Sequence, residues 1–280
     1  MPSIKLTEEQ LQELLSSRLV NCDSFVNTLY KYMPVGRVLE LLEHKRHKIG
    51  FVSPEKWQDP YEIKYLNTDF TAFNGYKQPQ IFCFCARKDN LNEEASWKIY
   101  KKENEPLLRL EINTLRFLLS IMNFAKSNKC DIFFSRVDYR LKKEEIDNLY
   151  LPSSPYYPEY FNDFDDKKYV KTMSIKRKAF EYENEYRIFI IPRDMEKVKR
   201  YMRKGVLLVP IDINAIINFT YYPLERIDDS LMAQIKKAKY DAECDIIRKR
   251  IEASYPNPPD SLFIRSTLYS DVDIIEKVEV

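Results

Sequence analysis

Apolar residues recur along this chain in short blocks, and the period of each block names its element. Leu11, Leu14, Leu15 and Leu19 follow a Thr7–Gln10 capping-box pair, which predicts a helix over residues 8–20. Residues 25–33, centred on LYKY, read as a first strand, and Pro34 opens a second helix carrying Val38, Leu39, Leu41 and Leu42. IGFVSP (residues 49–54) is a second strand, and the Asp59–Pro60 step forces a turn in residues 57–62. A third strand over residues 80–86 leads to the segment NEEASWKIYKK, a helix that Asn92 caps and on which Trp97 and Tyr100 share a face.

Further along, the same reading predicts a strand over residues 107–112, a helix over 115–125 and a strand through DIFFSRVDYRL. Residues 148–166 break the pattern, with Pro152, Pro155 and Pro158 set among Tyr150, Tyr156, Tyr157, Tyr160 and Phe161. A long irregular loop so rich in aromatics is expected to be a contact surface that stacks bases or holds a protein partner. A helix over 194–204 stopped by Gly205, strands over 206–213 and 217–222, a charged helix over 228–253 and a final strand over 273–280 complete the series. With no internal repeat and no linker, the expectation is a single α+β domain over residues 1–280, with a core of about 25–222 and a helical and strand extension over 223–280.

Composition narrows the function classes. The 45 Lys and Arg nearly cancel the 43 Asp and Glu, for a net charge of +2, so no overall field demands nucleic acid or membrane. Only 4 glycines serve 280 residues, which argues against glycine-rich phosphate loops and a dinucleotide fingerprint. The N-terminus lacks the succession of a signal peptide, and no apolar run approaches the roughly 18 residues of a membrane span. A cytoplasmic protein with no membrane partner is expected, and five scattered cysteines suit a reducing compartment. Cys83 and Cys85 alternate on a strand as small core residues, and with only His44 and His47 elsewhere no metal is expected there.

The stretch KRKAFEYENEYRIFIIP, residues 176–192, carries the candidate chemistry. As a strand it puts Glu183, Glu185 and Arg187 on one face, where a buried strand emerges at an edge of the core. Cross-strand ion pairing on a solvated face explains the same residues equally well.

Several separated signatures then line up: LYKY, FVSPEKWQDPYE, FCFCAR with SWKIY, and Lys176 and Phe180 with YENEYRI. Their order resembles the bacterial domain-of-unknown-function family 2971 over about residues 30–191. Gln58 stands where that family has Asn, Tyr61 for Phe, Cys85 for Ser and Phe180 for Trp. A looser resemblance, at the level of fold, is to the ADP-ribosyltransferases, which split NAD at the nicotinamide bond. It implies a mixed, largely antiparallel split sheet core with added helices, and NAD as substrate. It also implies Glu185 as the carboxylate nearest the nicotinamide ribose, with Glu183 orienting or deprotonating an acceptor. A carboxylate facing an oxocarbenium-like sugar binds the transition state more strongly than the ground state.

The same resemblance puts Tyr30, Lys31 and Tyr32 at the NAD-binding first strand and Ser53 at the ribose. Trp57, Trp97 and Tyr100 are candidate pocket walls and Lys176 a further cofactor-binding residue, while Asp59, Glu62 and Arg187 give structural support. It implies a toxin or anti-phage effector that modifies a macromolecule, nucleic acid or protein, with a neutralising or regulatory protein as a further partner. Two alternatives stay open. Asp59, Glu62, Glu183 and Glu185 could gather around Mg²⁺ beside Lys176 as in a nuclease, or the charged residues could be structural in a non-enzymatic interaction module. Basic clusters at residues 44–48 and 193–204 could steer a phosphate chain, although a solvated helix face explains the second as well.

Overall fold

The computed structural model describes residues 10, 13, 15–43, 47–57, 59–88, 93–101, 105–224, 230–255 and 258–266. Eleven strands run through them: β1 (Leu19–Val20), β2 (Thr28–Pro34), β3 (Lys48–Val52), β4 (Phe82–Arg87), β5 (Leu107–Asn113), β6 (Cys130–Arg136), β7 (Glu185–Pro192), β8 (Met202–Arg203), β9 (Val206–Pro210), β10 (Ile216–Tyr221) and β11 (Phe263–Arg265). They belong to two compact units, both α+β and both discontinuous in sequence.

The first unit comprises Met1–Leu29, Lys48–Asp89 and Thr114–Asp212. Its strands lie in the order β1, β6, β7, β4, β3, β9, β8, antiparallel except for the parallel β1–β6 pair. β7 is central, with Ile188 opposite Phe84 on one side and Phe134 on the other. All eight of its residues are buried, which is why its pattern reads as a continuous apolar run. One face of this sheet packs Phe133, Phe189 and Ile191 against Tyr65, Phe70, Phe161, Phe164, Tyr169 and Met173. Other core contacts include Phe51 and Phe117, both packed on Phe84.

That packing corrects the expectation of an aromatic contact loop. Within residues 148–166, Tyr157–Phe161 is a short helix, and Tyr160 and Phe161 are fully buried in the core. Phe70 stacks on Phe164 with ring centroids 4.3 Å apart, and Tyr160 donates its hydroxyl to Asp138 at 2.6 Å. Pro158 sits in the first turn of that helix while the Tyr160 and Phe161 rings point inward, the buried Tyr160 hydroxyl finding an acceptor. Of the expected surface, Tyr150 and Leu151 remain exposed.

Three further expectations change. The predicted first helix lies largely outside the described residues, and its expected end is a 3-10 turn, Ser16–Arg18, followed by β1. The helix over 194–204 is shorter, Met195–Lys199 with Asp194 as its cap, and the chain then turns into the β8–β9 hairpin. Gly205 makes that turn at φ 73°, where only glycine is unstrained. The strand over 131–141 stops at Arg136, beyond which Asp138 bridges to Ile175.

The second unit comprises Tyr30–His47, Asn90–Asn113 and Ile213–Val280. Its strands run β2, β5, β10, β11, with β5 and β10 antiparallel and β10 and β11 parallel. The helix Val35–Glu43 buries Val38, Leu41 and Leu42, and the helix Leu231–Glu252, capped by Ser230, buries Tyr240, Cys244, Ile247 and Ile251 at three- to four-residue spacing. β11 lies in a segment from which no strand is expected, and the predicted strand over 273–280, Gln58, Asn92 and residues 44–46 lie outside the described residues. Among the described residues no helix is long and apolar enough to cross a membrane.

Candidate active site

The candidate carboxylates gather in the first unit, by a different route from simple alternation. Glu183 is not in the strand: it ends the 3-10 segment Lys178–Glu183, and β7 begins only at Glu185. Asn184 between them has φ 41° and ψ 54°, a left-handed conformation that Asn tolerates better than most residues. That kink brings both carboxylates to one ammonium. Lys176 Nζ lies 2.6 Å from Glu183 Oε2, 3.4 Å from Glu185 Oε2 and 3.1 Å from Glu62 Oε1.

Arg187 closes the cluster from below. It is fully buried, donating from Nε to Glu185 Oε1 at 3.0 Å, from Nη2 to Glu62 Oε2 at 2.6 Å and from Nη1 to the Met173 carbonyl at 2.6 Å. Trp57 covers the guanidinium, its ring centroid 4.3 Å from Cζ. Glu62 therefore pairs with both cations, and Arg187 ties Glu62, Glu185 and the Met173 carbonyl together. Asp59 is turned elsewhere, accepting from the Tyr61 amide and from Arg177 Nη2 at 3.1 Å, so it does not join the other three carboxylates. Among the described residues no group of three His, Cys, Asp or Glu side chains is arranged to hold a metal ion.

The two carboxyls of the pair differ in proton affinity. Burial pushes Glu185 up, but Arg187 and Lys176, with hydrogen bonds from Arg187 and Cys85, outweigh it and hold the carboxyl at about 2. Glu183 goes the other way. Burial raises it, and Glu185 and Glu62 add to that, against the single ammonium of Lys176 that three carboxylates share. Burial lowers Lys176 in turn, yet Glu185 and Glu62 outweigh it and keep the ammonium charged. One carboxylate fixed as an anion beside one that takes up a proton more readily is an arrangement suited to dividing acid and base roles.

Tyr139 and Cys85 complete the surroundings. The Glu185 amide donates to the Tyr139 hydroxyl at 3.0 Å, and Cys85, opposite Arg187 on β4, carries a sulfur 3.6 Å from that of Cys83. The expected residues fall into two sets. Trp57, Glu62, Lys176, Glu183, Glu185 and Arg187 come together, while Ser53 is buried in the same unit at the start of the 3-10 turn Pro54–Lys56. Tyr30, Lys31, Tyr32, Trp97 and Tyr100 belong to the second unit. There Tyr32 stacks on Tyr100 at 5.3 Å and meets Trp97 edge-on at 4.8 Å, and Tyr30 lies under Arg109.

A cleft of about 680 Å³ opens beside Tyr139, bounded by Asn21, Arg136, Lys167 and Lys178 among others. No spacing in the sequence marks it, because its lining comes from four separated segments. The basic cluster expected over 193–204 is partly spent within the fold, since Arg193 pairs with Asp131 and Asp166. No family model matches the chain, and neither a curated protein nor a solved structure is significantly similar to it.

Proposed function

We propose that the chain is an ADP-ribosyltransferase, splitting NAD at the nicotinamide bond and passing ADP-ribose to a macromolecular acceptor, in keeping with its resemblance to those enzymes and to domain-of-unknown-function family 2971. The observation that carries this reading is the pair Glu183 and Glu185 on one lysine, with proton affinities driven apart. The bond between the ribose anomeric carbon and the nicotinamide nitrogen breaks, its electron pair leaving with neutral nicotinamide. Glu185, held ionised by Arg187, faces the positive charge that develops on the sugar. Glu183 takes the proton of the acceptor as the acceptor's oxygen or nitrogen bonds to the anomeric carbon.

Lys176 and Arg187 act on the carboxylates, which they hold apart in charge. Ser53, Trp57 and Lys176 are the proposed NAD-binding residues of the first unit, and the biological setting implied is that of a toxin or anti-phage effector in a bacterium. A second reading has its own support. Every carboxylate of the cluster is paired with Lys176 or Arg187, as in a brace that ties residues 57–62 and 173–178 to β7 without chemistry.

Release of labelled nicotinamide from NAD by the folded protein separates the two. Turnover in the wild type that Glu183→Gln abolishes while leaving the fold intact supports the transferase, and its absence from folded wild type supports the brace.

A further inference from the structure

We propose that the cleft beside Tyr139 is a binding site for a phosphate ester of nucleotide size, whether a free nucleotide or the phosphorylated end of a nucleic-acid strand. The proposal does not rest on the NAD reading: Tyr139 links the cleft to the carboxylate cluster, and none of Glu62, Glu183 or Glu185 lines it. Its volume, about 680 Å³, is that of a small-molecule pocket.

The cations of the cleft fall into two groups. Arg140 and Lys171 are used within the fold. Arg140 Nη2 reaches Asp138 at 2.6 Å and Glu159 at 2.8 Å, and Lys171 Nζ lies 2.8 Å from Glu159. With Tyr160 also donating to Asp138, both of those acids are satisfied. Arg136, Lys167 and Lys178 are the second group, all exposed and none with a carboxylate partner among the described residues.

These three come from different places: the end of β6, the helix Asp166–Thr172 and the 3-10 segment Lys178–Glu183. Cations on one helix face are ordinary solvated surface. Cations converging from three segments on one cavity attract an anion more strongly than any one of them does, and the carboxylates of Asp23 and Glu181 in the same lining offset only part of that charge. A guanidinium fork and two ammonium groups match the geometry and the double charge of a terminal phosphate better than a single carboxylate. The remaining lining suits the rest of a nucleotide. Glu181 supplies a carboxylate acceptor for ribose hydroxyls or a base amino group.

The test is a binding titration of the full chain with adenosine, adenosine 5′-monophosphate, and a short single-stranded RNA carrying either a 5′-phosphate or a 5′-hydroxyl. The expected result is saturable binding of the phosphorylated member of a pair and a loss of about tenfold in affinity for each of Arg136→Ala, Lys167→Ala and Lys178→Ala, as one charge-assisted contact is worth. Lys199→Ala, an exposed cation outside the cleft, leaves affinity unchanged. Tighter binding of the monophosphate identifies a free nucleotide as occupant, and tighter binding of the phosphorylated RNA identifies a strand end. Binding of neither phosphorylated probe, equal binding with and without the phosphate, or an equal loss in Lys199→Ala overturns the proposal.

Discussion

Replacing Glu185 by Gln removes one negative charge and keeps the side chain's shape, so its cost reads out the electrostatics of the cluster. The folded carboxyl sits at about 2 against an ordinary value of 4.5. A depressed carboxyl contributes stability that is fully present above the unfolded value and lost as pH falls through the folded one. The shift of about 2.5 units corresponds to about 3 kcal/mol at neutral pH, of which about 2 kcal/mol is gone by pH 3. Glu183 acts in the opposite sense, since its raised carboxyl favours the fold's protonated form as the solution is acidified. Asp138, held low by Arg140 and Tyr160 against its burial, loses its contribution on acidification as Glu185 does. The Asp138 effect is common to wild type and variant, and the Glu183 effect is smaller in the variant because Glu185 supplies part of it, so the difference between the two proteins reads chiefly Glu185. Urea unfolding at pH 7 and pH 3 measures it. The wild type is expected to exceed Glu185→Gln by about 3 kcal/mol at pH 7, with that gap shrinking to about 1 kcal/mol at pH 3. A gap that is absent at pH 7, or that does not change with pH, refutes the assignment of Glu185 as the ion held by Arg187 and Lys176.

Arg187→Lys is expected to cost about 3 kcal/mol or more in the same denaturation assay, because an ammonium cannot reach Glu62, Glu185 and the Met173 carbonyl together and leaves buried charge unpaired. A stability within about 0.5 kcal/mol of wild type would count against the clamp. Gly205→Ala is expected to lower the melting temperature by a few degrees, for about 1 kcal/mol, since the position has φ 73° and an added Cβ would meet Lys56 Nζ at 2.8 Å. An unchanged melting temperature would show that the β8–β9 turn relaxes freely.

The strands were the legible part of this fold. β5 lies within a residue of its expected span, and β7 stands out as FIIP-terminated apolar sequence because a central strand is buried on both faces. The long helix Leu231–Glu252 shows its buried stripe in the periodicity of Tyr240, Cys244, Ile247 and Ile251. What stayed hidden depends on tertiary choice. Tyr160 and Phe161 have the same composition whether a proline-rich segment turns them inward or outward. Alternation carried the expected strand back through Glu183, because nothing local announces that Asn184 will take a positive φ. The candidate site was half legible. Glu183, Glu185, Arg187 and Lys176 are close in sequence, and Glu62 was a named support, but Tyr139 lies 46 residues from Glu185 in a stretch that reads as uninterrupted strand. Glu62 reaches Arg187 across 125 residues, the buried ion pair that reading both residues as structural support implies.

The pH dependence of nicotinamide release from NAD tests the central claim, that Glu183 and Glu185 divide the chemistry between a proton-accepting and a permanently charged carboxylate. Glu185, held at about 2, is ionised across the range in which Glu183 titrates, so the rate limb belongs to Glu183, whose carboxyl is raised above 4.5. The account predicts a rate that climbs as pH rises through that raised value and levels off, and a Glu183→Gln protein, equally folded, that lacks the limb and releases little nicotinamide. Release that is absent from the folded wild type, or a limb that survives in Glu183→Gln, contradicts it.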